Sequence, residues 1–142
     1  MRFVLDCSIT MSWCFADEAD GYADAVLDLL PDAEAVVPSI WPLEVANVLL
    51  VAERRQRINE AQLARLVELL RSLPVTVDGG TFDRIMGAVL PLARAHKLSA
   101  YDAAYLELAM REGIPLATRD DRLIEAAHGC GVPLVQKESL DE

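Results

Sequence analysis

The sequence predicts a three-layer α/β domain, in which a mostly parallel central sheet is flanked by helices. Short apolar runs alternate with longer segments of helical periodicity, which is typical of parallel α/β folds. The chain has 142 residues, the size of one domain, and no linker or internal repeat interrupts it. We therefore predict a single domain over residues 1–142.

The first half of the chain predicts two strands and three helices. Residues 2–6 predict a strand that ends on an acid, and residues 35–37 predict a second, shorter strand. Residues 21–30 have a helical pattern. A second helix begins near Pro42, because a proline loses nothing by lacking an N–H in a first turn. A third covers residues 60–71, where leucines recur at helical spacing.

The second half predicts three further strands and three further helices. The strands are expected at residues 74–78, 114–118 and 132–135, and the helices at residues 81–97, 100–112 and 122–128. Pro91 lies inside the first of these helices, which we therefore expect to be kinked or split. Pro133 lies in the last strand, and proline cannot donate to a sheet, so this strand is expected at an edge.

Composition restricts the class of protein. No apolar run approaches the roughly 20 residues that span a bilayer, and Asp6 comes too early for a signal peptide, so we expect a cytoplasmic protein. The three cysteines share no C-x-x-C spacing and the chain has only two histidines, which excludes a structural zinc site. Reduced, buried thiols are the expectation.

The net charge of −10 argues against a nucleic-acid-binding surface, because phosphate neutralisation normally requires basic residues. Either the 23 acids form a solvated surface and a metal site, or nucleic acid is not the substrate. Several local basic groups are available to line an RNA groove, although such runs are more often solvated helix ends. They are Arg54, Arg55, Arg57, Arg94, Lys97, Arg119 and Arg122.

Four acids are distinguished by their positions in the predicted elements. Asp6 ends the first strand, Asp120 follows the fourth, and Glu44 and Asp102 each lie in the first turn of a helix. In an open α/β sheet the carboxyl ends of strands and the starts of helices face the same rim, where ligands bind. Carboxylates gathered there repel one another, and a hard divalent cation is the natural way to hold them together.

Each acid also has a purely structural interpretation. Asp6 could close a turn or cap a helix, and Glu44 could simply complement a helix dipole. Asp102 stands three residues after Ser99, the spacing of a capping box. Asp120 and its neighbour Asp121 could be turn acids or a helix N-cap. Only the convergence of all four acids favours a catalytic role.

Four segments carry a resemblance to a known family. They are Val4-Leu5-Asp6-Cys7-Ser8, Trp41-Pro42-Leu43-Glu44-Val45-Ala46-Asn47, Leu98-Ser99-Ala100-Tyr101-Asp102-Ala103-Ala104-Tyr105 and Leu116-Ala117-Thr118-Arg119-Asp120. In this order and at this spacing they resemble the PIN-domain nucleases, and among them the VapC toxins of prokaryotic toxin–antitoxin pairs. The likeness runs nearly end to end and implies a PIN-like fold.

The resemblance implies a metal-dependent ribonuclease. Asp6, Glu44, Asp102 and Asp120 would hold Mg²⁺ or Mn²⁺, and metal-activated water would leave 5′-phosphate and 3′-hydroxyl ends. Ser8 and Thr118 match hydroxyl positions beside such a site, and Asn47 would project from the same helix face as Glu44. Whether Asp121 shares the role of Asp120 stays open. The resemblance also implies an RNA substrate, a VapB-like antitoxin and a homodimer.

Two other functions are alternatives to the nuclease. A phosphatase of the haloacid dehalogenase type needs a second aspartate two residues after the first, and Ser8 stands there instead. A non-catalytic PIN-like module that binds RNA or protein is the remaining alternative, although the retention of all four acids disfavours it. The sequence does not indicate which RNA is recognised.

Overall fold

In the computed structural model, which describes residues 1–136, four strands form one parallel sheet. They are β1 (Arg2–Leu5), β2 (Glu34–Pro38), β3 (Val75–Asp78) and β4 (Leu116–Ala117). The strand order is β3-β2-β1-β4, and Val4 of β1 is paired with Val36 on one side and Leu116 on the other. The predicted α/β class with a parallel sheet is confirmed.

The helices follow the strands along the chain. Their bounds are α1 (Cys7–Cys14), α2 (Gly21–Leu29), α3 (Trp41–Arg54), α4 (Glu60–Ser72), α5 (Phe82–Arg84), α6 (Leu90–His96), α7 (Ala100–Glu112) and α8 (Asp121–Gly129). Short 3₁₀ turns lie at Ala16–Glu18 and Leu30–Asp32. Among the described residues, no helix is both long enough and apolar enough to pass through a membrane.

The strand order places helices on both faces of the sheet. Because parallel crossovers are right-handed, the connections from β1 to β2 and β3 put α1–α4 on one face. The connection from β3 back to β4 crosses to the other side of β1 and puts α5–α7 on the opposite face, where α7 packs against β1 and β2. The order in which strands are added to the sheet therefore reverses between the parallel strands β1 and β4, and ligands bind at such a switch point in open α/β sheets.

Helix α1 was missed by the sequence analysis. Cys7, Ile9, Thr10, Met11 and Ser12 are all buried, so nearly every side of this helix contacts the protein interior. A helix that is buried all round has no polar face and therefore no amphipathic period to detect. The helices predicted at residues 21–30, 60–71, 100–112 and 122–128 begin and end within one residue of the observed bounds, and the helix predicted near Pro42 begins at Trp41.

Pro91 divides its helix as expected. A π-helical turn, Ile85–Val89, separates α5 from α6, and the Leu90 N–H bonds to the Ile85 carbonyl. Pro91 has no N–H and its ring crowds the carbonyl of Gly87, so the regular ladder cannot continue through this turn. The π turn is thus the local adjustment to a proline inside a helix.

The expected strand at residues 132–135 is reduced to a single bridge. Leu134 pairs with Leu116 at the β4 edge of the sheet. The Leu116 N–H donates to the Pro133 carbonyl at 2.9 Å, and the Val135 N–H donates to the Leu116 carbonyl at 2.9 Å. The edge position is as predicted. The segment is too short for a strand because Pro133 has no donor of its own.

Candidate active site

The site lies at the carboxyl ends of the parallel strands β1 and β4, where the strand order reverses. Asp6 follows β1 directly, and its N–H donates to the Ala117 carbonyl at 3.1 Å. Asp6 is 3 % exposed, and most other buried residues of the protein are apolar. A buried carboxylate needs hydrogen-bond donors or a cation close by, because removal from water penalises its charged form.

Two hydroxyls orient Asp6. Ser8 Oγ and Thr118 Oγ1 each donate to Asp6 Oδ2 at 2.7 Å, the length of a charge-assisted hydrogen bond. Thr118 Oγ1 also accepts from the Asp120 N–H at 3.0 Å, and Ser8 Oγ accepts from the Arg119 N–H at 3.0 Å. The two hydroxyls therefore join the end of β1 to the β4–α8 turn, at the positions that the resemblance indicated.

Asp120 combines two roles. It is the N-cap of α8, where its Oδ1 accepts from the Leu123 N–H at 3.0 Å. A carboxylate has further acceptor capacity, so capping leaves the second oxygen available. Its neighbour Asp121 is exposed in the first turn of α8. The charge of Asp120 is among the causes that raise the pKa values of Asp6 and Asp102, which places it beside them.

Glu44 is held by a buried tyrosine. It lies in the first turn of α3, and its Oε1 accepts from the Tyr105 hydroxyl at 2.7 Å. Tyr105 belongs to α7 and is fully buried. The sequence analysis quoted Tyr105 within a family-like segment but assigned it no role. Its position three residues after Asp102 was the available signal, since residues i and i+3 share a helix face.

A capping box would require the Asp102 carboxylate to accept a hydrogen bond from the Ser99 N–H, and the structure shows only the other half of that motif. Ser99 Oγ accepts from the Asp102 N–H at 3.0 Å, so Ser99 caps α7 as expected. Among the hydrogen bonds of residues 1–136, none returns from the Ser99 N–H to the Asp102 carboxylate. The capping-box interpretation of Asp102 is therefore only half right, and its carboxylate remains available to the site.

The four carboxylates are electrostatically coupled. Burial is the main reason that the pKa values of Asp6, Glu44 and Asp102 are raised above their ordinary values. Mutual repulsion adds to burial, because Asp6 acts on both Glu44 and Asp102, and Asp102 acts on Glu44. The hydroxyls of Ser8 and Thr118 oppose the shift at Asp6.

The acidic cluster has no salt-bridge partner in the part of the chain that the structure describes. None of the ion pairs within residues 1–136 includes one of the four acids, although Arg122 lowers the pKa of Asp102 from a distance. In the same part of the chain, no three acidic, histidine or cysteine side chains already stand close enough together to hold a metal. The acids are thus mutually repelling neighbours rather than a closed coordination shell.

Of the cysteines and histidines, Cys7 lies beside the acidic site, where it follows Asp6. All three cysteines are free, and His96, at the end of α6, contacts Cys130 Sγ through Nε2 at 3.2 Å. Burial raises the pKa of Cys14 to about 11, so this thiol stays protonated near neutral pH. Of the three thiols only Cys7 is buried, whereas Cys14 and Cys130 are partly exposed, so the expectation of burial holds for Cys7 alone and the reduced state stays a prediction.

Several of the basic groups considered for an RNA groove are engaged by acids. Arg57 pairs with Asp17 and Glu18, and Arg119 pairs with Asp20. Lys97 and Arg122 instead line one open cleft of about 730 Å³ together with His96.

Comparison with known proteins gives the family. A model of the PIN domain matches residues 3–129. The chain belongs to the PIN domain family. It is 26% identical to Ribonuclease VapC3 of Pyrobaculum aerophilum over 125 residues, which are 88% of this chain and 94% of that protein.

Solved structures of similar fold extend the comparison. The PIN domain described here resembles PAE2754 of Pyrobaculum aerophilum with a TM-score of 0.70 and 21% identity, covering 99% of this chain and 95% of that one. It also resembles a chain in a toxin–antitoxin complex from Klebsiella pneumoniae with a TM-score of 0.57 and 20% identity, covering 82% and 85%. At these identities the structures establish the fold, and the prediction of a PIN-like domain is confirmed.

Proposed function

We propose that this PIN-domain protein is a metal-dependent ribonuclease and the toxin of a toxin–antitoxin pair. The observation that carries the proposal is the coupling of Asp6, Glu44, Asp102 and Asp120 at the carboxyl ends of β1 and β4, where no ion pair among residues 1–136 neutralises them. Similarity to a protein named as a ribonuclease supports the same activity.

The residues present fit Mg²⁺, with Mn²⁺ as a substitute. The donor set consists of carboxylate oxygens, which these hard cations prefer to the thiolate and imidazole ligands chosen by zinc. When bound, such an ion lowers the pKa of a water molecule and offsets negative charge on phosphate oxygens. A cation would also relieve the repulsion that raises the pKa values of Asp6, Glu44 and Asp102.

The side chains of the site would divide the work of phosphodiester hydrolysis. Asp6 is the most rigid acid, because Ser8 and Thr118 fix one of its oxygens. Glu44 is oriented by Tyr105 and Asp120 by its capping bond, so one oxygen of each carboxylate has a fixed partner and the other stays available. Asp102 is half-buried, and a carboxylate whose pKa is raised is a better acceptor for the proton of an attacking water.

RNA would approach along the cleft that contains Lys97 and Arg122. Arg122 already acts on the Asp102 carboxylate, and Lys97 lines the same cleft as Arg122, together with the acid Glu125. Phosphates on either side of the scissile bond are anionic, so a basic cleft beside an acidic centre positions the chain without base recognition. This local arrangement answers the objection raised by the net charge of −10.

Partners are proposed from the surface. Six large apolar side chains of α3, the α5–α6 region and α7 are 41–74 % exposed, and we call this set the apolar patch. Its members are Leu43, Phe82, Ile85, Met86, Leu90 and Tyr101. Three of them, Leu43, Ile85 and Tyr101, line one cleft of about 250 Å³. Contiguous apolar surface marks an interface, and two-fold pairing of identical chains is the commonest solution.

The proposed dimer therefore forms through the apolar patch. Val26 and Leu30 of the α2 region belong to the core and do not contribute to such an interface. The antitoxin would be a VapB-like protein that brings a basic side chain to the acidic site. We place the protein in the cytoplasm, where RNA and antitoxin are made.

One experiment tests the ribonuclease activity. The purified chain, freed of any antitoxin, is incubated with mixed RNA in Mg²⁺ or in EDTA, together with Asp6→Asn and Asp102→Asn. Asp121→Asn is the matched control, because it removes an equal charge from the neighbour of Asp120 at an exposed position. We expect Mg²⁺-dependent cleavage by the wild type and the control, and a loss of at least 100-fold in the two site variants.

Two outcomes would contradict the proposal. If both site variants cleave at the wild-type rate while circular dichroism shows an unchanged fold, the carboxylates are not the active site. If the wild type binds RNA but does not cleave it in Mg²⁺ or Mn²⁺, the protein is the non-catalytic PIN-like module. Binding alone would then be abolished by neutralising Lys97 and Arg122 rather than by the aspartate variants.

A further inference from the structure

Arg119, between Thr118 and Asp120, turns its side chain away from the acidic site. Its Nη1 donates to Ser12 Oγ and to the Glu18 carbonyl, the latter at 3.0 Å. Its Nε lies 3.6 Å from Asp20 Oδ2, and its backbone N–H donates to Ser8 Oγ at 3.0 Å. These partners belong to α1, to the 3₁₀ turn that follows it, and to the N-cap of α2.

The sequence analysis considered Arg119 as part of an RNA groove, but in the structure its guanidinium is engaged by acceptors of the protein itself. A guanidinium has five N–H donors in a fixed plane, so it can bond several acceptors on different elements at once. Here those donors are directed to side-chain and carbonyl oxygens of one protein segment. An arginine committed to these partners is a brace between two parts of the fold rather than a free cation for phosphate.

We propose that Arg119 is a positioning residue that fixes the β4–α8 turn against α1 and the start of α2, and thereby holds Asp120 towards Asp6. This inference rests on the proposed metal-dependent function, since the positioned carboxylate matters most when a cation joins the acids. Thr118 and Asp120 flank Arg119 directly, so a shift of its backbone moves both. The Thr118 hydroxyl bonds to Asp6 and the Asp120 carboxylate bonds to the Leu123 N–H, so a backbone shift would disturb both hydrogen bonds.

Arg57 offers a matched control on the far side of the same segment. Its Nη2 donates to Asp17 Oδ1 at 3.0 Å and Oδ2 at 3.1 Å, and its guanidinium lies 4.5 Å from the Phe15 ring centre. Arg57 therefore also restrains residues 15–18, but it contacts no residue of the β4–α8 turn. Arg57→Ala loosens the segment alone, whereas Arg119→Ala loosens its connection to Asp120.

The test measures Mn²⁺ binding without RNA, from the electron paramagnetic resonance signal of the free ion. We expect Arg119→Ala to weaken Mn²⁺ binding by about 10-fold, the size of effect typical of groups that orient metal ligands. Arg119→Lys should recover part of this loss, because an amine reaches one acceptor but lacks the planar fork. Arg57→Ala should bind Mn²⁺ like the wild type.

Backbone amide exchange supplies a readout that needs no metal. The Asp120 and Leu123 amides are bonded within the turn and the Arg119 amide is bonded to Ser8 Oγ of α1, so in Arg119→Ala all three should exchange about 10-fold faster while core strand amides are unchanged. Arg57→Ala should leave these three amides protected. A defect caused merely by lower global stability would instead accelerate exchange in both variants alike.

The outcomes separate this inference from the proposed function. Unchanged Mn²⁺ affinity and unchanged exchange in Arg119→Ala, with an increased KM for RNA, would overturn the positioning role and restore the RNA-contact interpretation. Equal effects of Arg57→Ala and Arg119→Ala would also overturn it. If instead wild-type protein and Asp6→Asn bind Mn²⁺ equally poorly, the proposed metal site fails, and amide exchange still decides whether Arg119 holds the turn.

Discussion

Replacing Thr118 by valine removes a hydroxyl from the centre of the site while keeping the shape of the side chain. Thr118 is 3 % exposed, and its Oγ1 donates to Asp6 at 2.7 Å and accepts from the Asp120 N–H at 3.0 Å. A hydrogen bond to a charged group contributes about 1.5–3 kcal/mol, and one between neutral groups about 0.5–1.5 kcal/mol. We therefore expect Thr118→Val to lower the free energy of unfolding by about 2–4 kcal/mol.

The assay is urea unfolding at pH 7 in EDTA, followed by thermal unfolding. For a domain of this size the loss corresponds to a fall in Tm of roughly 7–14 °C. Thr118→Ser is the control, because it keeps the hydroxyl and loses only a buried methyl group, at a cost of about 1 kcal/mol. The bond to Asp6 is strongest when that carboxylate is ionised, so the difference between the two variants should shrink at acidic pH.

The reasoning would be refuted if Thr118→Val were as stable as Thr118→Ser at pH 7. It would also fail if the difference between them did not depend on pH. Such results would mean that water replaces the hydroxyl at Asp6, and that this carboxylate is less isolated than its burial implies.

Three further predictions concern neighbouring features. Because burial and the charges of Asp6 and Asp120 raise the pKa of Asp102, its ionisation destabilises the metal-free fold. Asp102→Asn should therefore raise the Tm in EDTA. The gain should be absent well below pH 3.8, grow as pH rises from 3.8 towards the higher folded-state pKa, and be complete above it. Excess Mg²⁺ should reverse the gain, because binding stabilises the wild type. An equal Tm for both proteins in EDTA at pH 7 would contradict this. Tyr105→Phe removes the donor to half-buried Glu44 and should cost about 1–2 kcal/mol in urea unfolding, whereas no loss would show that solvent supplies the bond. Gly113 ends α7 with φ +65° and open space for a Cβ, so Gly113→Ala should cost about 1 kcal/mol from backbone strain alone, and a neutral result would place the strain elsewhere.

The predictable part of the fold is the part whose signals are local. Helix α7 was predicted with its observed bounds, because Ser99 begins it, Gly113 ends it, and apolar residues recur between them. Helix α1 gave no such signal, because it is buried on nearly every side and therefore has no exposed polar face. The segment around Pro133 was recognised as an edge but not as a single bridge, since pairing length depends on how far the partner strand β4 extends.

The candidate site shows the same division. Asp6, Glu44, Asp102 and Asp120 were identified from their places at strand ends and helix starts, together with the family resemblance. The hydroxyls of Ser8 and Thr118 were expected nearby, but not that both donate to the same oxygen of Asp6. Tyr105 was overlooked, because a tyrosine in the middle of an apolar helix face is usually a core residue, and Tyr105 is fully buried.

By itself, the sequence determined most of the strands and helices, the acids that stand at their ends, and the family that the chain resembles. These properties depend on neighbours along the chain and on residue identity, so periodicity, caps and prolines suffice to read them. Only the tertiary structure decided the direction in which side chains turn, such as Arg119 towards α1 and α2 and the Tyr105 hydroxyl towards Glu44. The partners of these groups are tens of residues away, and only packing of the sheet and its helices brings them within hydrogen-bonding distance.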